Sequence, residues 1–374
     1  MKLSRSSVAV ASALATSALV LGACSSNADK GTESAAPASK VADIKCEGKQ
    51  SLKASGSTAQ ANAMKIFSTS FAKTCPGYEL SYGGGGSGQG VSDFTQNLTD
   101  FGGSDSPLKE AEVAPAAQRC GGAEAWQLPL VFGPIAVVYN VPGVSDVALS
   151  GPTLAKIFSG AIKNWNDPAI AAENEGKTFP DLAISVIYRA DQSGTTDNFQ
   201  KYLTAAGGWD KGAGKTFNGG VGEGKQGNPG VGGAVTPTNG SIAYVEWAFA
   251  QSNKLAMAKI ITDQDKTGVA LTAESGGKTI ESATLKNGPD NHNMVIDTSS
   301  FYKPTQAGAY PIVLATYSIV CSKYPDAAIG QGVKTFLSVA ASPQNQGQEL
   351  QNAGYIPLPA DFQTKLNASI SAIQ

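Results

Sequence analysis

Histidine is nearly missing from this chain: one, His292, in Asn291-His292-Asn293, stands among 374 residues. No C-x-x-C occurs either, so the His/Cys clusters that hold zinc have nothing to form from, and neither metal nor cofactor is expected. Charge is sparse. Asp, Glu, Lys and Arg make up 16% of residues and the net charge is −2, which leaves no basic surface for nucleic acid. Repeats, heptads and long charge runs are absent, which excludes solenoid and coiled-coil architectures. Beyond the N-terminus no stretch reaches the roughly 18 apolar residues that a membrane-spanning helix needs.

What is present begins at the first residues. Lys2 and Arg5 form a positive n-region, an apolar run follows from about Val8 to Leu21, and Leu21-Gly22-Ala23-Cys24 closes it. This pattern resembles the bacterial lipoprotein signal, which implies that residues 1–23 are a signal peptide and that Cys24 is lipidated. Residues 24–43 are small and polar, too poor in large apolar groups to fold, and are expected to be a flexible tether. About 330 residues remain, enough for two lobes of ordinary size. Apart from Cys24 there are four cysteines, Cys46, Cys75, Cys120 and Cys321, an even number suited to two disulfides outside the cytoplasm. Spacing leaves three pairings open; the strand–helix unit bracketed by Cys46 and Cys75 favours that pair, with Cys120–Cys321 as the other.

Strands alternate with helices, so the expected class is α/β. Residues 51–54, 78–82 and 101–105 read as short strands. Ser57 or Thr58 is placed to cap a helix whose apolar stripe is Met64, Phe67 and Phe71. A second helix is expected over 89–98, and others over 154–158, 197–203 and 333–339, with a strand over 182–188. Residues 207–233 carry many glycines and are expected to be an irregular surface loop; 241–250 read as a strand followed by a helix. Two long runs rich in Val, Ile and Tyr, 128–139 and 310–320, read as buried strands that pair as crossovers between lobes.

Three glycine and hydroxyl clusters sit where a strand gives way to a turn or helix: Ser55-Gly56-Ser57-Thr58, Gly83 through Gly88, and Ser193-Gly194-Thr195-Thr196. A helix start leaves four N–H groups unsatisfied and carries roughly half a positive charge, so it suits an anion. One such cluster is usually a simple cap. Three of them, with Arg189 beside the third, point to a shared anion. Gly83, Gly85 and Gly88 also fit G-x-G-x-x-G, but consecutive glycines make that match cheap, and an exported protein seldom meets a dinucleotide. Gly214-Lys215-Thr216 fails as a phosphate loop of nucleotide hydrolases, because Trp209 occupies the place of the first glycine. A secreted phosphatase or phosphoester-binding enzyme is the alternative of a different class. It lacks a metal cluster, and Ser87 and Ser193 have no histidine base nearby in sequence.

The chain resembles the solute-binding lipoprotein of the phosphate-specific ABC importer over about residues 52–359. The most specific segment is Arg189-Ala190-Asp191-Gln192-Ser193-Gly194-Thr195-Thr196, similar to the family's R-x-D-x-S-G-T signature. Residues 100–108 are similar to its D-F-G-x-S-D-x-P-L segment, and 154–170, 240–247 and 355–359 to others in the same order. The resemblance implies a two-lobed periplasmic-binding-protein-like α/β fold with a hinge of two crossover strands, lobe I taking 44–132 and 308–374 and lobe II taking 133–307. It implies phosphate ligands at Thr58, Ala59 (main chain), Ser87, Asp105, Arg189, Ser193, Gly194 and Thr195, with Asp191 holding Arg189. Where many relatives have Thr-Phe-Pro this chain has Thr58-Ala59-Gln60. The function implied is capture of inorganic phosphate by a non-enzymatic protein, lipid-anchored outside the cell membrane. Delivery would be to the permease and ATPase subunits of an importer.

Overall fold

The computed structural model describes residues 44–374. The signal peptide expected at 1–23, the tether at 24–43 and Cys24 lie outside the described residues.

The first unit is β1 (Ser51–Gly56), α1 (Ala61–Thr74), β2 (Glu79–Gly84), α2 (Ser87–Thr95), β3 (Phe101–Ser104) and α3 (Glu110–Arg119). The long strand β4 (Ala125–Asn140) leads into β5 (Ala148–Ser150), α4 (Gly151–Phe158), α5 (Pro168–Ala172), β6 (Ser185–Arg189) and α6 (Gly194–Gly207). Then come β7 (Glu223–Lys225), α7 (Gly227–Val235), β8 (Ser241–Glu246), α8 (Trp247–Ser252), β9 (Ala256–Met257) and β10 (Lys259–Ile261). Helix α9 (Ala273–Ile280) and strands β11 (Thr284–Leu285) and β12 (Ile296–Asp297) precede β13 (Val313–Cys321). Helices α10 (Ala327–Ala340), α11 (Gln348–Asn352) and α12 (Ala360–Ala372) complete the described chain.

The fold is the expected two-lobed α/β arrangement. One continuous sheet runs β2-β1-β3-β13-β4-β8-β6-β7, with parallel pairs at both ends and antiparallel pairs in the middle. Strand β4 changes partner along its length: Ala125 to Pro134 pair with β13, and Ile135 to Asn140 pair with β8. Both prolines within it fall where the ladder breaks. Pro129 lies at the register shift beside Tyr317, and Pro134 sits where one partner replaces the other, so neither removes a needed hydrogen bond. The two long apolar runs are therefore the crossover strands, both buried along nearly their whole length.

Helix α1 buries Met64, Phe67 and Phe71, as the spacing predicts. Phe71 meets Phe336 of α10 edge-on at 5.4 Å, and Phe101 stacks on the same ring. Each such side chain contributes about 1.5–3 kcal/mol on burial. The disulfides are Cys46–Cys75 and Cys120–Cys321, the favoured pairing.

Two local expectations are overturned. Neither Ser57 nor Thr58 caps α1: the helix follows Gln60, already near-helical at φ −89°, ψ −1° and without a side-chain cap. Ser57 Oγ is engaged elsewhere, donating to Asp105 Oδ2 at 2.6 Å and accepting from the Ala59 N–H at 2.9 Å. A charge-assisted hydrogen bond is the stronger partner. The stretch 207–233 is also not an irregular surface loop throughout, since it contains β7 and most of α7. Its glycines serve two ends: Gly208, Gly212, Gly214 and Gly220 take positive φ in open space, whereas a Cβ on Gly232 would meet the Phe249 ring at 2.2 Å. Val231 and Val235 are buried beneath that helix, and Lys215 is only 2% exposed. Tertiary packing overrides the poor helix propensity of glycine here. Helices α2 and α6 also begin earlier than expected, at Ser87 and Gly194, which places both starts at the site described next.

Candidate anion-binding site

Strand β6 ends on a residue that the sequence nominates, and β1 and β3 end two and one residues before others, Thr58 and Asp105. Strand β3 delivers Asp105, 2% exposed, and its carboxylate gathers hydroxyls from three segments. Ser57 donates to Oδ2 at 2.6 Å, Ser87 at 3.4 Å and Thr195 at 3.5 Å. Its other oxygen, Oδ1, is buried with no hydrogen-bond partner. Burial pushes the Asp105 carboxyl up to about 6, against the hydrogen bond from Ser57, the charge of Arg189 and the other two hydroxyls, which pull it down.

Strand β6 ends on Arg189, also 2% exposed. Asp191 grips it from two residues ahead, Nε to Oδ1 at 2.7 Å and Nη2 to Oδ2 at 2.5 Å. Such a bidentate clamp fixes the plane of the guanidinium and leaves its remaining N–H groups oriented. Burial tends to raise the Asp191 carboxyl, but the Arg189 hydrogen bonds and charge, with the Gly227 N–H, hold it below the ordinary carboxylate range.

The helix starts meet around these two side chains. Ser87 opens α2, and its Oγ accepts from the N–H groups of Asp105 and Gly194, each at 3.1 Å. Ser193 caps α6 by accepting from the Thr196 N–H, so its own hydroxyl proton remains available to a ligand. Glycine is required at the contact itself: a Cβ on Gly194 would lie 2.6 Å from Ser87 Oγ and 2.7 Å from Asp105 Cβ. Gly86, at φ +102°, is equally confined, with Asp191 Oδ2 2.4 Å from where its Cβ would stand. Thr58 is half-buried, and its Oγ1 accepts from the Asn228 N–H at 3.3 Å. The Ala59 N–H is taken by Ser57, and its carbonyl accepts from the Tyr355 hydroxyl at 2.6 Å.

All the nominated residues thus lie in one neighbourhood, with Asp191 behind Arg189. Several neighbours were not singled out from sequence. Ser57 lay within a cluster already read as anion-binding. Asn198, which donates to the Asp105 carbonyl at 2.8 Å and to Gly194 O at 2.9 Å, stands one helical turn beyond Gly194. Asn228 carried no such signal, because its glycine-rich surroundings read as loop. Further bonds join the segment around α2 and α3 to the one around α6: Gly88 N–H to Gln192 O at 2.9 Å, Ser106 Oγ to Asp197 at 2.6 Å, and Lys215 to Glu112 at 3.1 Å.

Chemically the site is a buried ring of donors, comprising a guanidinium, hydroxyls and two helix starts, with one carboxylate inside it. That combination suits an oxyanion which still carries a proton. Among the described residues no cluster of His, Cys, Asp and Glu suits a metal ion.

Known proteins match most or all of this chain in sequence and most of it in fold. The PBP superfamily domain covers residues 11–344. Phosphate-binding protein PstS 3 of Mycobacterium leprae is 53% identical over 362 residues, 96% of each chain. Phosphate-binding protein PstS 2 of Mycobacterium tuberculosis (strain ATCC 25618 / H37Rv) is 52% identical over the full length of both. In fold, the chain is similar to a high-affinity periplasmic phosphate-binding protein solved with phosphate bound. The TM-score is 0.68 at 24% identity, covering 85% of this chain and 93% of that one. The chain belongs to the PBP superfamily and, within it, to the PstS phosphate-binding proteins.

Proposed function

We propose that the cleft captures inorganic phosphate outside the cytoplasmic membrane and that the protein hands it to the permease and ATPase subunits of an ABC importer. The observation that carries this reading is a clamped, buried Arg189 among helix-start donors, opposite an Asp105 carboxylate with one unpaired oxygen. The donors suit the charged oxygens of phosphate and the carboxylate suits its P–O–H. Thr58, the main chain at Ala59, Ser87, Asp105, Arg189, Ser193, Gly194 and Thr195 are the proposed ligands, the Ala59 and Gly194 N–H groups exchanging their bonds to Ser57 and Ser87 Oγ for bonds to the anion, with lobe I at 44–132 and 308–374 and lobe II at 133–307. Hydrogen bonds to a charged group contribute about 1.5–3 kcal/mol each, so eight ligands more than cover the ~8 kcal/mol of micromolar affinity before ordering and desolvation are deducted. The curated relatives are named as binding proteins, and nothing in the site favours a hydrolase.

Equilibrium dialysis with radiolabelled phosphate tests the reading, with arsenate and sulfate as competitors. One saturable site is expected, displaced by arsenate and not by sulfate. No saturable phosphate binding, or phosphate release from a generic monoester, would overturn it.

Anchoring is a separate proposal. Cys24 carries the lipid that holds the protein at the membrane, so Cys24→Ser should free it into the medium with phosphate binding unchanged. A variant that stays with membranes after a high-salt wash would refute the anchor.

A further inference from the structure

We propose that Asn228, in the first turn of α7, is a further ligand-contacting residue whose Nδ2 group donates a hydrogen bond to the bound anion. The inference rests on the phosphate reading of the cleft.

Asn228 is 1% exposed and sits between two proposed ligands. Its main-chain N–H donates to Thr58 Oγ1 at 3.3 Å, and its side-chain Oδ1 accepts from Arg189 Nη1 at 3.3 Å. Oδ1 also accepts from the Glu246 N–H at 3.4 Å. Two donors converging on one end of the amide set its orientation, because the flipped amide would place N–H against N–H. Nδ2 is thereby directed away from both, and it is buried without a hydrogen-bond partner. Buried amide donors are seldom left unsatisfied unless a ligand or water completes them. The nearby Glu246 carboxylate is occupied, accepting from the N–H groups of Ala248 and Phe249. Asp105 Oδ1, Gln60 Oε1 and Trp247 Nε1 are also buried without a partner, and Asn228 Nδ2 pairs with neither of the two acceptors among them. An acceptor and a donor both left open beside Arg189 match the two kinds of oxygen on a singly protonated phosphate.

The backbone of this turn cannot supply the contact instead. The Gly227 N–H is bonded to Asp191 Oδ1, the Asn228 N–H to Thr58, and Pro229 has none. The side-chain amide is what α7 offers the ligand.

The test separates contact from mere support of Arg189. In Asn228→Asp both side-chain oxygens can still accept from Arg189 and Glu246, so a purely positioning role survives the change. A ligand contact does not survive it, since a donor is lost and a carboxylate is set against the anion. Phosphate affinity at pH 7.5 should fall at least about a hundredfold, and part of the loss should return as pH falls and the new carboxyl takes up a proton. In parallel, the Asn228 side-chain amide of the 15N-labelled wild-type protein, assigned by its loss in Asn228→Ser, should shift downfield in proportion to phosphate occupancy. Wild-type-like affinity in Asn228→Asp, or an amide resonance unmoved at saturating phosphate, overturns the contact while leaving the phosphate reading intact. Failure of the wild-type protein to bind phosphate in the same assay overturns both. Should Asn228→Asp not fold, the wild-type resonance decides the question alone.

Discussion

Asp105 is the residue to which the proposed phosphate reading assigns discrimination between oxyanions. Its carboxyl is raised from 3.8 to about 6 because burial penalises the charge, so near pH 7.5 it is ionised and can only accept hydrogen bonds. A proton-bearing phosphate satisfies it; sulfate, which has no proton, sets acceptor against acceptor. Sulfate should therefore begin to compete in the wild-type protein as pH falls through about 6, when the carboxyl itself becomes a donor. Asp105→Asn should admit sulfate at every pH, and competition that is equally absent in both proteins at pH 7.5 would remove Asp105 as the discriminating group. The same raised value has a consequence for folding. In the ligand-free protein the group's contribution is greatest below 3.8 and is lost as pH rises through about 6, a difference on the order of 3 kcal/mol. Arg189 presents the complementary case. Arg189→Ala leaves Asp191 buried and without its cation, so phosphate affinity should drop by several kcal/mol, about 3–5, in titration calorimetry. A loss below 1 kcal/mol would show that the helix starts suffice without it.

At the level of elements, the site exists because α2 and α6 point their first turns at one another across the cleft. No single helix start would hold an anion tightly; the closeness of two makes a ring. Gly194 is the narrowest point of that approach, 2.6 Å from Ser87 Oγ for a would-be Cβ. Gly194→Ala improves helix propensity, so the fold should survive, but the lobes must part to accommodate the methyl group. Overpacking of this kind costs about 1–3 kcal/mol, so phosphate affinity should fall about 10- to 100-fold. Small-angle scattering should show a larger radius with phosphate than for the wild-type protein. Unchanged affinity would mean that the two helix starts do not need to touch in the bound state.

Over the whole molecule, the chain leaves and re-enters the first group of strands through β4 and β13, whose pairing holds the middle of the sheet. The Cys120–Cys321 bridge ties the far ends of that excursion, 201 residues apart, whereas Cys46–Cys75 closes a loop of 29. Chain entropy assigns about 5 kcal/mol to the long bridge and about 4 to the short one. Replacing Cys120 and Cys321 with serine together should lower the unfolding free energy in urea more than the same change at Cys46 and Cys75. The reverse order would show that strain or residual structure, not loop length, sets their contributions. Bonds between segments far apart in the chain, such as Lys215 to Glu112, tie the first group of strands and helices to the later one.

How much of this was legible beforehand differs from residue to residue. Periodicity alone determined the buried stripe of α1 and the two crossover strands, because burial imprints a 3.6- or near-continuous apolar pattern whatever the partner is. Glycine and hydroxyl residues placed at strand ends marked the segments that meet at the candidate site, since a helix start needs local chemistry and little else. Composition alone misjudged residues 227–233 as loop, because the helicity of α7 comes from packing that no local signal carries. The same holds for Ser57, whose hydroxyl had a cap and a carboxylate to choose between. Only the fold brings Asp105 within 2.6 Å of it, and at that distance the charge wins. Asn228 is the clearest instance: 170 residues from Thr58 along the chain and 39 from Arg189, it joins both only when the lobes have closed. Local sequence sets which groups can bind; which of them meet, and at what degree of burial, is decided by the long-range pairing of β4 with β13 and β8.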